Sequence, residues 1–132
     1  MNRQELRTKV RNTVHRLVHE KGYASSIDLF VQMEKISPKL VEEWRFGRVP
    51  YLERVLQGNL GQLNYIMAKF KETAKEMGLT PSNTAYMRWG KGPKQPLRFS
   101  KSGDANVERH YSTHFVANKN KDSLASQPLG EA

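Results

Sequence analysis

The sequence predicts a mainly helical α+β fold: a bundle of short helices, then a C-terminal β-hairpin and a final short helix. Three observations predict it. Apolar residues recur at spacings of three and four through most of the first 79 positions, the period of helices with one buried face. Beyond Pro81 the pattern changes to alternation around a stretch rich in Gly and Pro, as expected for two strands and a turn. The chain has 132 residues, enough for one compact core and few for two, so residues 1–116 are expected to form a single domain. Within it, residues 1–79 are the helical part and residues 80–116 the basic hairpin and terminal helix.

The first helix runs through NRQELRTKVRNTVHRLVHEKGY, where Leu6, Val10, Val14, Leu17 and Val18 share one face. Gly22 ends it by accepting the left-handed conformation, with Tyr23 folding back on Val18. In SSIDLFVQM, Ser25 caps the second helix and Asp28 completes a capping box, which turns Ile27, Phe30 and Val31 inward. Ser37 and Pro38 open a third helix, a cap followed by a residue with no amide hydrogen to lose. Leu40, Val41 and Trp44 are its buried side, and Gly47 its stop. YLERVLQG reads as a further short helix between Pro50 and Gly58, with Tyr51, Leu52, Val55 and Leu56 as its apolar set.

The longest periodic segment begins at Asn59, which pairs with Gln62 as a cap. Leu60, Leu63, Met67, Phe70, Ala74 and Met77 follow at heptad spacing. A core face within the bundle and a homodimer seam through residues 60–77 both fit that spacing. Gly78, Leu79 and Pro81 close the helical half. In AYMRWGKGPKQPLRFSKSG, Met87, Trp89, Leu97 and Phe99 fall on one expected strand face, and Tyr86, Arg88, Arg98 and Ser100 on the other. DANVERHYSTHFV is expected to be a final helix started by Asp104 and lined by Val107, Tyr111 and Phe115, with a strand as the alternative for its last residues. Residues 117–132 hold almost no large apolar side chains and are expected to form a disordered tail.

Charge narrows the function classes. Lys and Arg number 22 against 13 Asp and Glu, a formal net charge of +9 that favours anionic partners. Residues 80–116 are the most one-sided, with 6 bases and 2 acids. No apolar run approaches the roughly 20 residues needed to span a bilayer, so no membrane partner is expected. The opening MNRQELRTKV lacks a signal peptide's apolar core, and the chain has no cysteine for disulfides or thiolate metal sites. A cytoplasmic protein is the expectation.

DLFVQMEKISPKLVEEWRFGRVP, within residues 28–50, has the order of a helix-turn-helix and resembles the motif of the Cro and phage-repressor type. Ile36 and Val41 match its core positions around the turn, Trp44 its aromatic anchor, Gly47 and Pro50 its exit. Val31 departs from it where a small residue is usual, and Lys35 where the turn usually has glycine. The resemblance implies DNA contacts at Ser37, Lys39, Glu42, Glu43, Arg45 and Phe46, although the adjacent glutamates would repel phosphate and suit the helix dipole instead. EEWRFGRVPYLERV, TAYMRWGKGP, PLRFSKSGD and YSTHFV together resemble an uncharacterised family of small bacterial proteins, a likeness that spans roughly residues 20–116. It implies a bacterial cytosolic origin and one architecture, with no activity to carry over.

The expected function is non-catalytic nucleic-acid binding, DNA ahead of RNA. The candidate contact residues are Lys39, Arg45 and Arg48 from the helix-turn-helix-like segment, with Tyr86, Arg88, Lys91, Lys94, Arg98 and Lys101 from the hairpin. Cations there would displace counterions from phosphates, and an exposed tyrosine would stack on an unpaired base. Arg3, Arg7 and Arg11 form a second basic row that a solvated helix face explains. The competing class is a protein-interaction module in which Trp44, Phe46 and Trp89 belong to cores or a partner groove. A third is a metalloenzyme built on His15 with His19 and His110 with His114, pairs spaced to share a helix face. No metalloprotease glutamate accompanies them, so ordinary surface or packing histidines account for both pairs and no metal or other cofactor is assigned.

Overall fold

The computed structural model describes residues 2–117. Five α-helices and a small antiparallel sheet make up a mainly helical α+β fold among them. Helix α1 spans Arg3–Lys21, with Asn2 as a capping-box residue and Gly22, at φ 83°, as its left-handed end. Strand β1, Tyr23–Ala24, leads into α2, Ser26–Gln32, which the Ser25 hydroxyl caps by accepting from the Asp28 N–H. Helix α3, Pro38–Arg45, starts at the Ser37 cap with proline in the first turn. The helix expected at YLERVLQG is a single 3-10 turn, Leu52–Val55.

Helix α4, Leu60–Glu76, is capped by Asn59 and lies against α1. Its buried residues are Leu63, Ile66, Phe70, Thr73 and Ala74, whereas Leu60 is exposed and Met67 only partly covered. Ile66 and Thr73 join the buried stripe in place of Leu60, a helical rather than a strict heptad period. Half of the stripe that also suited a dimer seam, Leu63, Phe70 and Ala74, is therefore buried, with Leu63 and Phe70 in the same core cluster as the buried face of α1. Arg7 pairs with Glu72 and Arg11 with Glu76, so the contacts climb both helices in one direction and the two run parallel. Arg3 lies over the Tyr65 ring. The basic row on α1 is thus largely matched by α4.

The sheet arises from segments too short to show a sequence period. Strand β2, Thr80–Ser82, and β3, His114–Val116, pair antiparallel, and β3 also pairs with β1, giving the order β1-β3-β2. Pro81 lies in β2, an edge strand, where a missing N–H is tolerated. Helix α5, Ala105–Ser112, begins at the Asp104 cap as expected, but the segment's last residues are β3 and Phe115 packs there on Phe70. Of the expected tail, Ala117 donates its N–H to the Gly22 carbonyl, and the remainder lies outside the described residues.

The expected C-terminal β-hairpin is a correction. Between residues 85 and 103 the only ladder contact is one bridge, Met87 to Pro96, flanked by the bonds Arg88 N–H to Gln95 and Leu97 N–H to Tyr86. Toward the tip, Pro93 would face Gly90 in this register and has no N–H to donate to it. On the other side the return arm is bonded to the helical half. The Arg98 carbonyl accepts from Leu52 N–H and from the Trp44 indole N–H, and the Phe99 carbonyl accepts from Glu53 N–H.

Candidate nucleic-acid interface

Helices α2 and α3 are joined by a tight turn over residues 33–37, closed in an unusual way. Lys35 N–H reaches the Phe30 carbonyl and Glu34 N–H the Val31 carbonyl, the bond pair of a Schellman cap. Helices α3 and α4 end with the same pair of bonds, with Gly47 and Gly78 at the left-handed position. In α2 that position is Glu34, at φ 61°, where glycine would be free of strain. The Lys35 ammonium bonds Gln62 and its carbonyl accepts from Gln57 N–H, so this residue ties the turn to the start of α4. Ile36 and Trp44 are buried, with Val41 partly covered against the same core.

Trp44, fully buried, sets the position of everything beyond it. Its ring meets Phe99 at 4.9 Å and Tyr86 at 5.7 Å, and its N–H holds the Arg98 carbonyl at 2.8 Å. The 86–97 loop consequently folds back over the C-terminal end of α3. Trp89 N–H donates to the Arg45 carbonyl at 2.7 Å, and the Trp89 ring meets Phe46 edge-on. The Arg88 side chain lies across Gly47, where a Cβ would come within 3.1 Å of it.

The expected site residues divide into three groups. Arg88, Lys91 and Lys94 lie on the loop that covers the end of α3, with no ion-pair partner among the described residues. The Arg88 guanidinium donates to the Lys91 carbonyl, and the Lys94 ammonium reaches the Arg88 carbonyl. Arg48 adjoins them through Gly47, over the Phe46 ring and paired with Glu43 at 2.7 Å. Lys39 and Lys101 are exposed but apart: Lys39 sits near the start of α3, about 9 Å from Arg45 along the axis, and Lys101 on the return arm, its N–H bound to Glu53.

The remaining three have internal roles. The Arg45 guanidinium lies between the Tyr86 ring at 5.1 Å and the Trp89 ring at 4.4 Å. Burial pulls it below its ordinary range, partly offset by Tyr86, and its Nε has no hydrogen-bond partner. The Arg98 guanidinium donates to the carbonyls of Ser100 and Lys101, closing the return turn. Tyr86, expected to stack on a base, packs inward instead: it meets Trp44 and Phe99, and its hydroxyl shares a 2.6 Å hydrogen bond with His114 Nε2. Burial pushes its phenol up to about 12.

The expected strand faces are therefore wrong at two aromatics. Trp89, assigned to the buried side, is 42% exposed, while Tyr86, assigned to the open side, is partly buried against the core cluster. Phe99 and Ser100 are both buried, although alternation placed them on opposite faces. Alternation requires a ladder on both sides of the turn, and one bridge does not impose it.

The histidines do not gather. His110 is exposed on α5, whereas His114 is in β3, stacked on Tyr23 at 5.2 Å, so the helix end at Ser112 separates them. Among the described residues no three His, Asp or Glu side chains come together in a metal-like cluster. No helix there is long and apolar enough to cross a membrane.

Comparison with protein-family models, with curated proteins and with solved structures finds no match to this chain in any of the three.

Proposed function

We propose that the protein binds nucleic acid without catalysis, through the surface made by the C-terminal end of α3 and the 86–97 loop. The observation that carries this reading is the juxtaposition of Arg48 with Arg88, Lys91 and Lys94 around an exposed tryptophan. These cations come from stretches some forty positions apart in sequence and have one paired carboxylate, Glu43, among the described residues. Such a surface follows a phosphate backbone by releasing counterions, a contact that fixes position without reading sequence. The resemblance of α2, the tight turn and α3 to a helix-turn-helix is the one ground for putting DNA ahead of RNA; the basic aromatic surface itself suits either.

The test is a salt titration of binding to a labelled oligonucleotide. Each phosphate contact contributes about 0.7–0.9 to the slope of log K against log salt. Replacing Arg88, Lys91 and Lys94 together by alanine is expected to flatten that slope by about 2 to 3. Arg98 is left in place because its guanidinium holds the return turn. An unchanged slope, or a wild-type protein that binds neither DNA nor RNA, sinks the reading and leaves a protein-interaction module as the better account.

A further inference from the structure

We infer that the ligand of this surface is an unpaired stretch of nucleic acid, with a base stacking on Trp89; this rests on the nucleic-acid reading above. Trp89 and Leu60 are the two large apolar side chains that stand exposed among the described residues. Trp89 is held firmly. Its backbone N–H is bonded to Arg45, its ring carries the Arg45 guanidinium at 4.4 Å, and the Phe46 ring meets it at 5.7 Å and 80°. Arg45 is itself pinned on Tyr86, which is partly buried and packs against the core cluster. An aromatic fixed in this way loses little conformational freedom on binding, yet keeps 42% of its surface in solvent. Arg88, Lys91 and Lys94 lie within a few positions of it in sequence and supply cations for the flanking phosphates. A positive surface that tracks the backbone beside an aromatic that takes a base is how single strands are held without sequence preference.

The same contacts argue against a duplex read by α3. Of the six positions that a groove-reading helix would use here, Arg45 and Phe46 are packed under the 86–90 segment. The Ser37 hydroxyl is occupied as the helix cap, and Glu42 and Glu43 are acidic. Lys39 alone remains as an exposed cation among them. A base within a duplex is already stacked on both faces, whereas an unpaired base offers a free face to the indole.

Three oligonucleotides of about 12 nucleotides, within the site size of single-strand binders, separate the cases: a thymidine homopolymer, a uridine homopolymer and a mixed-sequence duplex. Trp89→Ala is expected to weaken single-strand binding by about 5- to 150-fold and to change duplex binding by less than about twofold, with Trp89→Phe restoring most of the loss. The two homopolymers tell DNA from RNA. Since the chain has 2 tryptophans and Trp44 is buried, the single strand should also shield wild-type emission from acrylamide and have no such effect on Trp89→Phe. If Trp89→Ala leaves single-strand affinity intact, or lowers single-strand and duplex binding alike, stacking is wrong while the electrostatic surface stands. If the wild type binds none of the three, both proposals fall.

Discussion

Glu108, on α5, holds the return arm of the 86–97 loop, and removing its carboxylate should loosen the part of the fold that carries the basic surface. One carboxylate oxygen accepts from Phe99 N–H at 2.9 Å, and the other from Ser100 N–H at 2.7 Å and the Ser100 hydroxyl at 2.6 Å. Phe99 and Ser100 are both buried, so the donors have little access to replacement water. At roughly 1 kcal/mol net for each bond, Glu108→Ala is expected to cost about 3 kcal/mol, a large share of a stability on the order of 5–15 kcal/mol.

Glu108→Gln is the sharper comparison. Its amide oxygen can still accept from Phe99, and its NH2 can donate to the Ser100 hydroxyl, but nothing remains to accept from Ser100 N–H. The loss should fall to about 1–2 kcal/mol. Urea unfolding followed by circular dichroism measures both. With a slope of about 1.5–2 kcal/mol per molar, the alanine midpoint should drop by roughly 1.5–2 M. An alanine variant within about 0.5 kcal/mol of wild type, or a glutamine variant as unstable as alanine, would refute the view that this carboxylate organises the return arm.

Glu34 occupies the left-handed end of α2 where α3 and α4 have glycine, so Glu34→Gly should stabilise the fold by about 0.5–1 kcal/mol in the same urea assay, after the greater freedom of glycine in the unfolded chain is counted. Destabilisation would mean that the glutamate side chain makes a compensating contact. Burial pushes the His114 imidazole below its ordinary value of 6.5, against a smaller opposing pull from Asp28. The folded state therefore binds that proton less tightly than the unfolded chain, so this contribution to stability is complete above 6.5 and is lost as the pH falls below it toward the folded value. His114→Asn should flatten the stability profile in that window, and an imidazole that titrates at or above 6.5 by NMR would overturn the prediction.

The helical half was legible because its signals are local. Asn59, Ser25, Ser37 and Asp104 act as the caps their positions suggested, and Gly22, Gly47 and Gly78 end helices. Trp44 is the buried anchor that its spacing from Ile36 and Val41 implied. The left-handed residue of the α2–α3 turn is Glu34, one before the position where the motif usually has glycine, and its side chain carries no sign that it will accept a positive φ. The basic loop was harder to read. The cations of the site were visible as composition, but which of them stay free depends on contacts that composition does not show: Arg45, on α3, lies on Tyr86 and Trp89, and Arg98 is tied to the carbonyls two and three residues beyond it. Trp89 is the exposed side chain that the reading of alternation concealed. The clue was the placement of Gly90, Gly92 and Pro93 directly after it, which leaves too little ladder to bury an indole. The sheet of two- and three-residue strands has no period to detect, and only the placement of β3 between β1 and β2 creates it.

Backbone amide shifts recorded while the thymidine homopolymer is added test most directly whether the end of α3 and the 86–97 loop form one contact surface. Perturbations concentrated at residues 45–48 and 86–94, fading together as salt rises, are the expected result. Shifts centred on α1 and α4, or confined to one of the two segments, would contradict it.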